Sequence, residues 1–293
     1  MSKSFWSSAL GAEVRYHNAG PWRTRALEAG DTGDDVIMIG GLTGHVEGFV
    51  HNVVPLADRG LRVHAIDTIG HGFTDKPLDV TYHAPIFTEH LLRYLDARGI
   101  DKAHMVGQSL GGWIALHTAK THPDRIGKIV FATGAGILLD DEASKKESVE
   151  VHSRVKNVTK KAVEAPTRES VRTRLEWLMA DPATVTEELI EARYRIYTLP
   201  DSVEGMPKLV SEQPSEENRA YLLTEDDLER IPHEVLVVWT DKNPTTSAEV
   251  GKRASQLIPN GSFDLITDAG HWPMFEQPDQ FNRIVGDFLV SND

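Results

Sequence analysis

Short apolar runs, most of them rich in β-branched residues, recur along the chain, and segments with helical periodicity separate them. The predicted strands are Val36–Ile39, Val63–Asp67, His104–Val106, Lys128–Ala132, Val235–Trp239 and Ser262–Ile266, and the predicted helices are Phe87–Arg98, Gly111–Thr121, Ala248–Leu257 and Gln280–Leu289. Runs this apolar are typical of strands buried on both faces, which occur in parallel sheets. The alternation therefore predicts an α/β fold with a mostly parallel sheet and helices on both faces. Two earlier segments, Glu13–Asn18 and Arg23–Glu28, are predicted to pair as an antiparallel hairpin at the edge of this sheet.

The strand signals stop between residues 140 and 214. Charged residues become more frequent there, prolines punctuate the segment, and helical spacing appears in Glu169–Met179 and Glu187–Tyr197. The strand pattern then resumes at Val235, so this segment interrupts one domain and does not separate two. We predict one α/β core and an inserted helical cap. The core comprises residues 1–139 and 215–293, and the cap comprises residues 140–214.

Composition excludes several classes of function. The chain has 293 residues, of which 40% are hydrophobic, and this is enough for one large core with an inserted subdomain. The net charge is −13 and the basic residues form no concentrated patch, so no nucleic-acid partner is expected. The chain has no cysteine, which excludes disulfides and thiolate metal sites.

The sequence also lacks the common targeting and cofactor motifs. The N-terminal residues have no apolar segment of the kind found in signal peptides, and no run of about 18 apolar residues occurs. These features predict a soluble cytoplasmic protein without a membrane partner. No HExxH, EF-hand or P-loop pattern appears, so neither a metal nor a cofactor is expected.

The pentapeptide Gly107-Gln108-Ser109-Leu110-Gly111 matches the pattern G-x-S-x-G. The pattern is weak alone, but here a predicted strand leads into it and a predicted helix leads out, which is the context of a nucleophile elbow. Side chains at Gly107 or Gly111 would clash with the neighbouring strand and helix. The free N–H groups at the helix N-terminus would face the developing negative charge. The motif therefore predicts that Ser109 is a nucleophile.

His271 is the candidate base among the 13 histidines of the chain. It follows the last predicted strand and comes well after Ser109, which agrees with the Ser…acid…His order of hydrolases with this elbow. An imidazole with an ordinary pKa near 6.5 can accept the serine proton. The rival is His71, which precedes Ser109 and is interpreted as shaping the loop after the strand Val63–Asp67.

These segments together resemble the α/β-hydrolase superfamily over nearly the whole chain. The matching segments are Gly70-His71-Gly72-Phe73-Thr74-Asp75-Lys76-Pro77, Gly107-Gln108-Ser109-Leu110-Gly111-Gly112, and Gly270-His271-Trp272-Pro273 with Glu276 and Phe281-Asn282-Arg283. More narrowly, they resemble its meta-cleavage-product hydrolases, which split carbon–carbon bonds in ring-opened aromatic catabolites. The resemblance implies an α/β-hydrolase fold with an inserted helical cap, a small-molecule substrate and no cofactor. It leaves a homo-oligomer open.

The resemblance also implies substrate-binding residues. Trp272 corresponds to a tryptophan that lines the pocket of those enzymes, and Arg193 lies in a segment similar to the one that carries their substrate-binding arginine. A guanidinium can bind the carboxylate of a 2-hydroxy-6-oxo-dienoate. The alternative is a solvated Arg193 paired with Glu187 or Glu188. Gln108 stands where the family usually has Asn, and we expect it to make a polar substrate contact from a displaced position.

The residue that orients the base departs from the family pattern. Relatives usually carry an aspartate after the fifth predicted strand, and here the run is Trp239-Thr240-Asp241-Lys242-Asn243-Pro244. We expect Asp241 to orient His271, although Asn243 occupies the usual register and would be a neutral partner. Asp67, at another strand end, is a third alternative. The oxyanion loop also departs, with Gly40-Gly41-Leu42-Thr43-Gly44 in place of His-Gly, and its expected donors are the backbone amides of Leu42 and Leu110.

The elbow and His271 predict a serine hydrolase, and the resemblance implies that it cleaves a C–C bond in a 2-hydroxy-6-oxo-dienoate formed in aromatic degradation. A carboxylesterase or lactonase with the same machinery is the alternative, because the chemistry differs mainly in the leaving group. A hydrolase fold that binds a ligand without catalysis is the third reading, and the ambiguous acid is its main support.

Overall fold

The computed structural model describes residues 4–140 and 157–291. Its main sheet has eight strands, and a separate pair of short strands forms a second sheet. The strands are β1 (Glu13–Ala19), β2 (Trp22–Ala29), β3 (Asp35–Ile39), β4 (Arg62–Ile66), β5 (Ala103–Gln108), β6 (Ile126–Ala132), β7 (Ile137–Leu138), β8 (Leu223–Thr224), β9 (Glu234–Thr240) and β10 (Asn260–Ile266).

The sheet order is β1-β2-β4-β3-β5-β6-β9-β10. β1 pairs antiparallel with β2, and β2 with β4, so the predicted edge hairpin is confirmed. The remaining neighbours pair in parallel. The chain adds β4 on one side of β3 and β5 on the other, and this reversal opens a crevice at the carboxyl ends of β3 and β5. The loop Gly40–Gly44 and Ser109 follow these two strands directly.

Helices cover both faces of the sheet, as predicted. They are α1 (Val53–Ala57), α2 (Ala84–Arg98), α3 (Leu110–Thr121), α4 (described over 157–164), α5 (Arg168–Leu178), α6 (Glu187–Tyr197), α7 (Pro200–Glu212), α8 (Glu216–Arg219), α9 (Glu225–Leu228), α10 (Ala248–Leu257), α11 (Pro273–Glu276) and α12 (Pro278–Val290). Side chains of a strand alternate between faces, so Val36 and Met38 pack with α1 and α12, whereas Ile37 and Ile39 pack with α2 and α3. The central strands of the sheet are therefore buried between two helical layers, whereas the edge strands β1 and β10 are largely exposed.

The segment between β6 and β9 is mainly helical. Its helices α5 and α6 bury Val171, Leu175 and Leu189 in the same apolar cluster that covers one face of the sheet. The prediction of a helical cap over residues 140–214 includes 141–156, which lie outside the described residues. The sequence did not predict the parallel pair β7 and β8, because strands of two residues carry no detectable periodicity.

Across residues 4–140 and 157–291, none of the helices has the length and apolarity needed to cross a bilayer. Within the same ranges, His, Asp and Glu side chains form no group of three or more that could hold a metal ion.

Candidate active site

Ser109 lies in the sharp turn between β5 and α3. Its backbone has φ 54° and ψ −116°, a strained conformation that residues other than glycine rarely adopt. A Cβ on Gly107 would lie 2.3 Å from the Gly111 carbonyl oxygen, and a Cβ on Gly111 would lie 2.1 Å from the carbonyl oxygen of Ile39. Both glycines are therefore required by close backbone approach, as the sequence predicted.

The loop Gly40–Gly44 packs directly against Ser109. A Cβ on Gly41 would lie 2.9 Å from the Ser109 Cβ and 3.3 Å from its Oγ. Among the described residues, the backbone N–H groups of Leu42 and Leu110 donate no hydrogen bond, and Leu110 is the first residue of α3. Both predicted donors are thus free on either side of the serine.

His271 lies in the loop between β10 and α11. Its backbone N–H donates to the Leu178 carbonyl at 2.7 Å, and its own carbonyl accepts hydrogen bonds from Gln108 Nε2 and Thr133 Oγ1, both at 2.9 Å. This loop therefore meets the residue next to Ser109 at the carboxyl edge of the sheet.

The Gln108 side chain forms hydrogen bonds to both loops that flank Ser109. Its Oε1 accepts from the Gly41 N–H at 3.0 Å, while Nε2 donates to the His271 carbonyl and, at 3.3 Å, to Thr133 Oγ1. Both amide hydrogens of Gln108 are engaged within the protein, and the expected substrate contact of Gln108 stays a prediction. The side chain ties the Gly40–Gly44 loop to the His271 loop.

The partner of the imidazole is Asn243 and not Asp241, so the preferred expectation is corrected. Asn243 Oδ1 lies 2.9 Å from His271 Nδ1. Asp241 is exposed, and its Oδ1 accepts from the Ala269 N–H at 3.4 Å, away from the imidazole. The loop after β9 brings the residue in the family register to the histidine and turns Asp241 outward.

The surroundings of Asn243 fix the tautomer of His271. The Thr245 backbone N–H, which can only donate, lies 3.3 Å from Asn243 Oδ1, and Thr245 Oγ1 donates to the same oxygen at 2.9 Å. The Asn243 Nδ2 amide donates to Thr246 Oγ1 at 3.4 Å. The oxygen of the side-chain amide therefore faces His271, so Nδ1 carries the proton and Nε2 keeps its lone pair.

The third candidate acid, Asp67, forms its hydrogen bonds with Arg25 and with the loops after β3 and β4. It is buried and accepts from Arg25 Nε at 2.6 Å and from the backbone N–H groups of Val46 and Phe73 at 2.8 Å. The rival histidine, His71, is also buried, and its Nδ1 lies 3.0 Å from Thr68 Oγ1 and 3.1 Å from the Ile69 carbonyl. His71 thus shapes the loop after β4, as the sequence indicated.

Electrostatics keep His271 neutral. Burial lowers the pKa of His271 to about 3, and the positive charge of Arg174 contributes to the same shift. Both effects disfavour the imidazolium form. At neutral pH the imidazole is therefore unprotonated at Nε2, which is the state that a general base requires.

Arg193 is buried, so the reading as a solvated cap residue does not hold. Its Cζ lies 4.3 Å from the centroid of the Trp272 ring, and Nη1 donates to Tyr197 Oη at 2.8 Å and to the Thr43 carbonyl at 3.3 Å. The alternative partners bind elsewhere: Glu187 pairs with Arg172, and Glu188 accepts from the Phe5 N–H. Arg193 thus lies against the loop that flanks Ser109, and Trp272 packs against the Arg193 guanidinium.

Two further residues belong to this site: Arg174, which the sequence analysis missed, and Glu276, which it named among the matching residues without giving it a role. Arg174 on α5 is buried, and its Nη2 donates to the Leu42 carbonyl at 3.0 Å. Glu276 accepts from the N–H groups of Gly270, Trp272 and Ala180, and so holds the His271 loop against the end of α5. A signal for Arg174 exists in the sequence, since it shares the apolar face of α5 with Val171 and Leu178. A cation on such a face indicates a buried charge.

Comparison with known proteins places these observations in a family. A family model described as the alpha/beta hydrolase fold matches residues 35–278. A 2-hydroxy-6-oxo-2,4-heptadienoate hydrolase of Pseudomonas putida is 27% identical over 97% of this chain and 95% of its own. A 2-hydroxy-6-oxo-6-(2'-aminophenyl)hexa-2,4-dienoic acid hydrolase of Metapseudomonas resinovorans is 29% identical over 94% of this chain and 90% of its own.

Solved structures agree with this assignment. A meta-cleavage product hydrolase from Pseudomonas fluorescens, in a mutant form complexed with acetates, superposes with a TM-score of 0.78 at 26% identity. The match covers 96% of this chain and 98% of that one. The sequence-based resemblance to the α/β hydrolases, and to their meta-cleavage-product members in particular, is thereby confirmed.

Proposed function

The chain belongs to the alpha/beta hydrolase fold family, and from this premise we propose that it is a serine-dependent C–C bond hydrolase acting on a 2-hydroxy-6-oxo-dienoate. Ser109 is the proposed nucleophile, His271 the base and Asn243 the neutral residue that orients it. The backbone amides of Leu42 and Leu110 are the proposed oxyanion donors. Residues 140–214 are the proposed cap over the substrate.

The acyl-transfer half of the proposal follows from the elbow. His271 Nε2 takes the Ser109 proton, and Oγ bonds to the 6-oxo carbon. The oxygen of that carbonyl becomes an oxyanion between the two free amides, where each preorganised donor contributes about 3–4 kcal/mol to lowering the barrier. Water then releases the acyl group through the same base, giving a carboxylic acid and free Ser109.

The C–C half needs a leaving carbon that can hold an electron pair. The substrate first ketonises: the 2-hydroxyl loses its proton and C5 gains one, so that C5 becomes tetrahedral in a 2,6-dioxo-3-enoate. When the C5–C6 bond then breaks, the electron pair left on C5 is delocalised through the C3–C4 double bond onto the 2-oxygen as a dienolate, and the dienolate takes the proton that His271 Nε2 accepted from Ser109. Arg193 supports the proposal that such a substrate binds here. It is a buried guanidinium over Trp272, with Nε and Nη2 lacking partners among the described residues. This observation carries the choice of an anionic dienoate over a neutral ester.

The test compares two substrates in one variant. Arg193→Ala should lower kcat/KM for a 2-hydroxy-6-oxo-dienoate about 10- to 100-fold, because a charge-assisted contact to the carboxylate is lost. The same change should lower kcat/KM for a p-nitrophenyl ester by a smaller factor, because the ester has no carboxylate contact to lose and is affected only through the missing hydrogen bond to the Thr43 carbonyl. Arg195→Ala is the matched control, since Arg195 lies on the same helix but is exposed and paired with Glu191.

Two outcomes would contradict the proposal. If wild-type kcat/KM for esters exceeds that for every dienoate tested by orders of magnitude, the protein is a carboxylesterase or lactonase. If a fluorophosphonate fails to label Ser109 while a small ligand binds stably, the protein is a non-catalytic binder.

A further inference from the structure

A second arginine approaches the same loop as Arg193. Arg174 is buried on α5, and its Nη2 and Nε donate to the Leu42 carbonyl at 3.0 Å and to Thr159 Oγ1 at 3.2 Å. Its Nη1 is buried and has no hydrogen-bond partner among the described residues. One face of this guanidinium is thus fixed by the protein, and one nitrogen remains for a ligand.

The two arginines converge on consecutive peptide groups. Arg174 donates to the carbonyl of Leu42, and Arg193 donates to that of Thr43. The positive charges of both arginines lower the pKa of Tyr197, which lies beside them. The Nε and Nη2 atoms of Arg193, which form one edge of its guanidinium group, have no hydrogen-bond partner within residues 4–140 and 157–291. Such an edge matches the two oxygens of one carboxylate. The free Nη1 of Arg174 can then bind a third oxygen of the same ligand.

No acidic side chain among the described residues balances these two charges, since neither arginine forms a salt bridge with Asp or Glu. Buried carboxylates nearby are already engaged, because Glu47 and Asp67 pair with Arg25. Burial and the neighbouring Arg193 both lower the pKa of Arg174. A buried cation without a counter-charge is unfavourable, so an anionic ligand bound at these two guanidinium groups would be stabilised.

We infer that Arg174 and Arg193 together form a two-guanidinium site for a ligand end with a carboxylate and an adjacent anionic or carbonyl oxygen. The chemical class of this ligand is a 2-oxo carboxylate, or the enolate formed when a 2-hydroxy-dienoate loses its hydroxyl proton. Arg193 binds the carboxylate side-on, and Arg174 Nη1 binds the oxygen on the next carbon. This inference rests on the proposed function and specifies which charge Arg174 would stabilise, namely that on the 2-oxygen as the C–C bond breaks.

The position of Arg174 relative to the base supports this assignment. Leu178 lies one turn further along α5, on the same face, and its carbonyl accepts from the His271 N–H at 2.7 Å. The Arg174 charge is therefore close to the imidazole as well as to the Gly40–Gly44 loop. A ligand oxygen held by Arg174 Nη1 would lie within the site that contains Ser109.

Binding of small anions tests the site without requiring turnover. Oxalate, which presents four oxygens on two adjacent carbons, and acetate, which presents one carboxylate, are titrated by calorimetry into the full chain. Arg174→Met should weaken oxalate binding about tenfold or more, and acetate binding less than about threefold. Arg193→Met should weaken both. Arg172→Gln, on the exposed face of α5, should change neither.

A purely structural role for Arg174 predicts different results. In that case fluorophosphonate labelling of Ser109 would slow, because the Leu42 carbonyl loses its partner, while oxalate affinity would stay within about threefold of wild type. That result overturns the inference, as does failure of the wild-type protein to bind oxalate at millimolar concentrations. If Arg174→Met does not fold, Arg174→Gln is tested against the same two criteria.

Failure of the inference and failure of the proposed function are distinguishable. Dienoate turnover by the wild type with oxalate affinity unaffected by Arg174→Met would leave the C–C hydrolase intact and remove Arg174 from substrate recognition. Oxalate binding that depends on both arginines, without dienoate turnover, would retain the anion site and reject the reaction.

Discussion

At the scale of single residues, the most consequential feature is the neutral partner of His271. Asn243 Oδ1 accepts a hydrogen bond from His271 Nδ1 at an O···N distance of 2.9 Å, and Thr245 Oγ1 donates to the same oxygen and so holds the amide in that orientation. A neutral amide oxygen can orient the imidazole, as in Cys-His-Asn proteases, but it stabilises the imidazolium less than a carboxylate does. The arrangement therefore favours a base that remains unprotonated far into the acid range.

The first prediction concerns this partner. Asn243→Leu should slow fluorophosphonate labelling of Ser109 about 10²-fold, because the imidazole loses the contact that sets its tautomer. Asp241→Asn is the control and should stay within about twofold of wild type, because Asp241 is exposed and away from the ring. A large loss in Asp241→Asn with none in Asn243→Leu would restore Asp241 as the orienting residue.

The second prediction is the pH dependence of the same labelling reaction. Since the pKa of His271 is lowered to about 3, the imidazole is neutral above that value, and labelling should persist well below pH 6. Asn243→Asp introduces a carboxylate that favours the imidazolium, so it should raise the pKa and move the acid limb to higher pH. Labelling rates measured across the acid range check this, and an acid limb that does not move in Asn243→Asp contradicts it.

At the scale of elements, the end of α5 docks on the loop that carries His271. A Cβ on Gly270 would lie 2.4 Å from the Leu178 carbonyl oxygen and 2.7 Å from the Ala180 nitrogen. Glu276 closes the same contact with hydrogen bonds to Gly270 and Ala180. The position of the base is thus set jointly by a core loop and a helix of the predicted cap.

The third prediction tests this docking. Gly270→Ala should destabilise the protein by about 1–3 kcal/mol and slow Ser109 labelling, because the backbone of α5 and of the loop must separate. Gly48→Ala is the matched control, since the nearest atom to its Cβ would be the Met274 Cε at 3.8 Å. Urea unfolding and labelling rates check both variants, and equal behaviour of the two would show that the docking is dispensable.

The elements themselves were largely predictable from sequence, whereas the partners of the site residues were not. Apolar runs located every long parallel strand, and the context of G-x-S-x-G located the turn at Ser109. The choice between Asp241 and Asn243 depends on how a loop turns after β9, and residue type alone does not encode that. Arg174 was missed because a charged residue is ordinarily assigned to solvent, although its neighbours on α5 are buried.

At the scale of the whole molecule, charge is distributed unevenly. The chain carries a net charge of −13, yet two buried arginines without acidic partners among the described residues lie at the proposed substrate site. The net negative charge would repel the proposed anionic substrate during its approach, while the two local cations would attract it once it has entered. Salt screens the first effect more than the second, because the arginines are buried.

The fourth prediction follows from this contrast. Raising the salt from about 10 mM to about 150 mM should increase kcat/KM for an anionic dienoate about two- to threefold, because long-range repulsion is screened. A neutral p-nitrophenyl ester provides the control and should show no trend. A decrease for the dienoate over this range would mean that attraction by the arginines dominates the approach as well.

The hydrogen bonds from Arg174 and Arg193 to the Leu42 and Thr43 carbonyls bear on how such enzymes diversify. If recombination replaced the proposed cap by that of a homologue, different side chains would face these two carbonyl groups. Unless the new cap supplied cations at the same positions, the replacement would weaken both the loop beside Ser109 and the binding of anionic ligands. New substrate specificities in this family should therefore arise through paired changes in the cap and in the loop Gly40–Gly44.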